Sequence, residues 1–169
     1  TTGVWAKALQ RKEVNIISKA IKNPKRPLVA ILGGAKAEDK ITLIGKLLEK
    51  ADYCLVGGGV AGTFLKAWGY KVGKSLVNYE MVELTKKLFW KASWPSWAML
   101  LPTDVVLGDL ASGRVDGVVS VDKIPSQWQI LDIGPKTQAE FGYVIAKAKT
   151  IIWNGPVGVY EKKKFRNGT

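Results

Sequence analysis

The residues of this chain best suited to chemistry are two lysines placed just behind a pair of glycines. The stretch reads Leu28-Val29-Ala30-Ile31-Leu32-Gly33-Gly34-Ala35-Lys36-Ala37-Glu38-Asp39-Lys40. Gly33 and Gly34 carry no Cβ, so a ligand can approach the backbone there. A helix starting beyond them offers free N–H groups and the positive end of its dipole, which suits a phosphate. Lys36 and Lys40 share one face of such a helix. Two ammonium groups at that end make a phosphate clamp. The same spacing also describes an ordinary solvated face, with Glu38 and Asp39 as first-turn acids, and spacing alone leaves both readings open. No Gly-x-x-x-x-Gly-Lys-Ser/Thr run occurs, so this is not a Walker A loop.

What else the chain holds narrows the chemistry. It has no histidine, which excludes Ser-His and Cys-His catalysis and any His-ligated metal within it. Catalysis here rests on Lys, Arg, Asp, Glu and backbone dipoles, and no metal-ligand set is expected. Cys54 is the single cysteine and lies in the apolar run Tyr53–Val56, so it packs as a small hydrophobe. The formal charge of +12 favours anionic partners such as nucleotides or phosphorylated metabolites. No DNA- or RNA-reading motif is present. No apolar run is long enough to span a membrane, and no signal-peptide layout is seen. The 169 residues, 47% of them hydrophobic, suffice for one domain with a real core.

The elements that must position these residues follow from periodicity. Residues 4–22 have a helical pattern, and Asn23-Pro24 ends it. Residues 28–32 are too short and too branched for a helix and read as a buried strand. An amphipathic helix is expected over 38–50, and a second strand over 53–56, ending in Gly57-Gly58-Gly59. Helices are expected over 60–68, closed by Gly69, and over 79–92. A third core strand falls at 98–101 and a fourth at 150–153. Short strands at 105–107 and 118–121 flank a glycine-rich turn. A helix over about 136–147 and a final short one around 162–166 complete the series. Alternating strands and helices predict an open parallel sheet with helices on both faces, a three-layer α/β arrangement.

The four core strands end in Gly-Gly, Gly-Gly-Gly, Pro102-Thr103-Asp104 and Asn154-Gly155-Pro156. Ligands of open α/β sheets sit beyond the carboxyl ends of the strands, so these tips are expected to form one crevice. Gly57–Gly62 also fits G-x-G-x-x-G between a strand and a helix. The acid that a dinucleotide site needs at the end of the next strand is missing, because Glu80 opens a helix instead.

Taken in order, these motifs resemble the C-terminal nucleotide-binding domain of phosphoglycerate kinases. The matching residues are Val29–Lys36 with Asp39-Lys40, Gly57-Gly58-Gly59 with Ala61, Thr63–Lys66 and Gly73-Lys74-Ser75-Leu76. They continue with Leu101–Asp104, Leu131–Thr137, Trp153–Val159 and Gly168-Thr169.

The resemblance implies a Rossmann-like sheet, incomplete relative to the family. Residues 1–27 would be an interdomain-type helix and linker, and 28–169 a partial nucleotide-binding domain. It implies transfer of phosphate between 1,3-bisphosphoglycerate/ADP and 3-phosphoglycerate/ATP in glycolysis, in the cytoplasm, with Mg²⁺ carried by the nucleotide. By the same resemblance Gly34, Ala35 and Lys36 line the phosphate path, and Lys36 with Lys40 supplies the catalytic charge. Gly57 and Gly58 lie along the adenine, with Leu76 and Leu131 beside its ring. Asn154, Pro156 and Val159 border the nucleotide, and Glu161 accepts from the ribose hydroxyls. The family's N-terminal domain and its second glycine-rich loop have no counterpart in these residues. A fragment or a shortened, diverged copy is therefore expected, inactive alone and completed by those missing parts. The alternative is a kinase-derived, non-catalytic subunit of a larger assembly, with Trp90, Trp94 and Trp97 either core filler or a partner surface.

Overall fold

A computed structural model of the chain describes residues 22–35, 37–92 and 99–169. The helix expected over 4–22 lies outside the described residues except for Lys22, and Lys36, Trp94 and Trp97 lie outside them as well. Lys40 and Trp90 fall on described helices, but their side chains are outside the description.

The strands β1 (Leu28–Leu32), β2 (Tyr53–Val56), β3 (Met99–Leu100) and β7 (Thr150–Asn154) form one sheet in the order β3-β2-β1-β7. All pairings are parallel, with Ala30 opposite both Cys54 and Ile152. Every residue of β1 is buried, which is why Leu-Val-Ala-Ile-Leu shows no alternation: both faces are covered. On one face Leu28, Ala30 and Leu32 meet Ile44 and Leu47 of α1 (Ala37–Leu48) and Phe64 of α2 (Gly58–Ala67). On the other, Val29 and Ile31 meet Phe141 and Val144 of α4 (Pro135–Ile145). The helix α3 (Val82–Ala92) packs Leu88 against the first cluster. Full burial of each Leu, Ile, Val or Phe side chain here favours the fold by about 1.5–3 kcal/mol.

A second sheet was only partly expected. The strands β4 (Asp104–Asp109), β5 (Arg114–Ser120) and β6 (Gln129–Ile133) pair antiparallel in the order β5-β4-β6. It shares a core with Leu65 of α2, Val72 and Ile124. The arrangement is thus not a parallel sheet alone, and β6 has no strand signal because Gln129 and Asp132 break its apolar run. The final helix is also shorter than expected: a single 3₁₀ turn spans Lys163–Phe165, anchored by fully buried Phe165.

Candidate functional site

The tips of β1, β2 and β7 interlock through their backbones. Gly33 N–H donates to the Asn154 carbonyl at 3.0 Å and Gly34 N–H to that of Pro156 at 2.7 Å. Gly57 N–H donates to Leu32 at 2.8 Å, and Gly58 N–H to Val157 at 2.8 Å. A Cβ on Gly33 would stand 2.0 Å from the Pro156 oxygen, so only glycine allows this approach. Gly58 combines that closeness with φ +60°, a region that other residues rarely adopt.

These loops form one wall of a cleft of about 580 Å³. Gly34, Ala35, Gly58, Pro156, Val159 and Glu161, all singled out by sequence, line it. So do Leu76 and Leu131. Leu131 reaches the cleft through a break in register: β4 pairs Val106 with Asp132 and Leu107 with Ile130, leaving Leu131 as an extra residue. Such bulges re-aim a side chain. The Leu131 carbonyl then accepts from Val159 N–H at 2.8 Å, joining the small sheet to the loop after β7.

Two expected residues border the cleft without lining it. Gly57 is the N-cap of α2, and its Cα faces Val157. Asn154 gives its carbonyl to Gly33, and its Oδ1 is buried without a hydrogen-bond partner. Lys36 is outside the described residues, and Lys40 is placed on α1 by its backbone alone.

The third tip is put to a different use. Pro102 lines the cleft, but Asp104 turns its carboxylate onto the start of α4. Asp104 accepts from Thr137 N–H at 2.7 Å, Thr137 Oγ1 at 2.6 Å and Lys136 N–H at 3.0 Å. Burial pushes the Asp104 pKa up, but these hydrogen bonds outweigh it and hold the group below the ordinary range. The start of α4 is therefore already matched by an anion. The start of α2 is engaged as well, since Gly58 and Val60 N–H donate to Val157 and Gly34.

Lys74, Gln129 and Asp132 also line the cleft and were missed as site residues. Among the described residues Lys74 is the one cation on the wall. It sits inside the Gly73-Lys74-Ser75-Leu76 motif, which was the available signal. Ser75 Oγ accepts from Ile130 N–H at 2.9 Å, which holds this segment and Leu76 against β6. The cleft thus pairs an apolar slot of Leu76, Ile130 and Leu131 with a backbone-rich glycine wall, and Glu161 stands at its rim. The slot offers an apolar surface, and the carboxylate offers acceptors for hydroxyl donors.

Comparison with known proteins gives a consistent answer. Residues 5–169 match the family model described as phosphoglycerate kinase. The phosphoglycerate kinase of Gloeothece citriformis (strain PCC 7424) is 49% identical over 162 residues, 95% of this chain and 40% of that protein. That of Moorella thermoacetica is 44% identical over 162 residues, 95% of this chain and 41% of that protein. Among solved structures, phosphoglycerate kinase from Coxiella burnetii superposes with a TM-score of 0.86 at 42% identity, covering 95% of this chain and 42% of that one. The chain spans about 40% of the length of the curated relatives it matches.

Proposed function

The chain belongs to the phosphoglycerate kinase family, and from that premise we propose that its cleft seats the adenine nucleotide of the kinase reaction. The observation that carries this is the meeting of Gly34, Ala35, Gly58, Leu76, Leu131, Pro156, Val159 and Glu161 around one cavity. In this reading the base lies between Leu76 and Leu131, and the ribose hydroxyls donate to Glu161. The phosphates run past Gly34 and Ala35 toward the start of α1. Lys36 and Lys40 neutralise their charge, and Asn154 and Gly57 buttress the wall.

Phosphoryl transfer needs positioning and charge neutralisation more than covalent help. A site without histidine can supply both. Magnesium belongs to the nucleotide's phosphates in this reading. Among the described residues no group of three or more His, Cys, Asp or Glu is placed to hold a metal. The complete reaction is transfer of phosphate between 1,3-bisphosphoglycerate/ADP and 3-phosphoglycerate/ATP, in cytoplasmic glycolysis. It needs the remaining parts of a family member, with residues 1–27 as the helix and linker to the preceding domain. Among the described residues no helix is long and apolar enough to cross a membrane.

Calorimetric titration with Mg-ADP tests this reading. Binding to the parent, weakened by Lys36→Ala and by Glu161→Ala, is expected. Affinity unchanged by both substitutions overturns it. A coupled ATP assay on the isolated chain is expected to show no turnover.

A further inference from the structure

Asp132 is a buried carboxylate that the proposed function leaves unused. It is 1% exposed, and it lies on β6 beside Leu131. Its Oδ1 accepts from Ile133 N–H at 2.9 Å and its Oδ2 from Gly168 N–H at 3.0 Å. A hydrogen bond from the Asn167 backbone also reaches it. The loop after β7 is wrapped tightly on this group. A Cβ on Gly158 would stand 2.0 Å from Asp132 Oδ1 and 2.6 Å from the Phe165 carbonyl oxygen. A Cβ on Gly168 would stand 2.5 Å from the same Oδ1. The loop is closed at its far end by Thr169, whose Oγ1 accepts from Val157 N–H at 3.2 Å and Gly158 N–H at 3.3 Å. Between these anchors lie Val159, Tyr160 and Glu161, which the loop sends to the cleft.

We propose that Asp132 is the positioning residue for the ribose side of the cleft: its carboxylate fixes the loop over residues 157–169 and, through it, the place of Glu161. The proposal rests on the nucleotide reading of the cleft. The chemistry of the group explains why an acid occupies the position. Ionised, it is acceptor-only on both oxygens, which matches a ring of backbone N–H donors. An amide of the same shape would turn an NH₂ toward at least one of those donors. Burying the charge is costly, and a residue needed only to fill space here would be apolar. Asp132 does not touch the ribose in this account, because Glu161 does that, and Asp132 holds the loop that carries it.

Two measurements on Asp132→Asn test the proposal separately from the nucleotide reading. The first is amide hydrogen exchange without ligand. Val159 and Lys162, whose N–H groups bond Leu131 and Val159, are expected to exchange at least tenfold faster. The amides of β1 keep their parent rates. The second is a double-mutant cycle on Mg-ADP affinity. Glu161→Gln weakens the parent, and it adds little once Asp132 is Asn, because the loop no longer presents it. Unchanged loop exchange, or penalties that simply add, overturns the positioning role. If Asp132→Asn does not fold, Gly168→Ala, whose added Cβ would stand 2.5 Å from Asp132 Oδ1 and part the loop from the carboxylate, takes its place in both measurements with the same criteria. If the parent binds no Mg-ADP, the nucleotide reading falls, and loop exchange still decides whether Asp132 fixes the loop.

Discussion

Gly33 and Pro156 are pressed together so closely that a single added carbon on Gly33 would lie 2.0 Å from the Pro156 carbonyl oxygen. This contact joins the tips of β1 and β7. Both neighbours are backbone, and neither has a flexible end that can give way. Gly33→Ala is therefore expected to cost about 3 kcal/mol or more, in the class of severe overpacking. Gly142→Ala is the control: it lies in α4, and its Cβ would meet nothing within 4 Å. That substitution is expected to stabilise by about 0.5–1 kcal/mol through helix propensity. Urea unfolding midpoints of the two variants check both signs.

Leu76 is 54% exposed and lines the cleft, so it contributes little to the core. Leu76→Ala should leave the unfolding free energy within about 0.5 kcal/mol of the parent. If the base packs on it, the same change should weaken Mg-ADP binding by about tenfold, the worth of partial burial of a leucine. Calorimetry beside a melting curve reads both quantities.

Asp104 ties the start of β4 to the start of α4. Its folded pKa is lowered, since hydrogen bonds from Thr137 and Lys136 outweigh the opposing effect of burial. The sign follows from linkage: its stabilisation is present above the unfolded value of about 3.9 and is lost as pH falls through the lower folded value. Asp104→Asn is expected to cost about 1–3 kcal/mol at neutral pH, the worth of hydrogen bonds to a charged group. That cost should shrink below about pH 4. Asp132 runs the other way: burial raises its pKa, so ionising it costs stability as pH rises through that raised value, a cost that the N–H groups of Ile133, Asn167 and Gly168 offset only in part. Denaturant unfolding of parent and variant at neutral and acid pH separates the two effects.

Cys54 is fully buried on β2, and burial pushes its thiol up to about 12. The thiolate is the reactive form. At pH 8 the folded chain should resist a thiol reagent over hours and react within minutes in guanidinium. The single cysteine makes the readout unambiguous.

Much of this was legible in the sequence for physical reasons that can be named. The run Leu28–Leu32 declared a strand buried on both faces, and the glycines after it declared a close backbone approach. Gly155 and Pro156 declared a strand tip, though not that it would meet Gly33. That meeting depends on β1 and β7 being neighbours, and their pairing spans most of the chain. The residues brought to the cleft by β6 were harder to read. Leu131 was recognised from a motif, but its aim comes from a bulge that only the pairing with β4 creates. Asp132 stood in the same motif, and nothing in its neighbours in sequence shows that Gly158 and Gly168 fold onto it. Asp104 was read as part of the crevice because it follows a strand. The competing demand, an acceptor for the open N–H groups of α4, decided its orientation.

The central claim is that one cleft, walled by three strand tips and by β6, seats the nucleotide. Amide chemical shifts of the chain titrated with Mg-ADP test it most directly. The account predicts the largest changes at Gly34, Gly58, Leu76, Leu131 and Val159, with little change at Leu28, Tyr53 and Thr150 at the opposite end of the strands. Shifts centred on that opposite end, or spread without reference to the cleft, would contradict it.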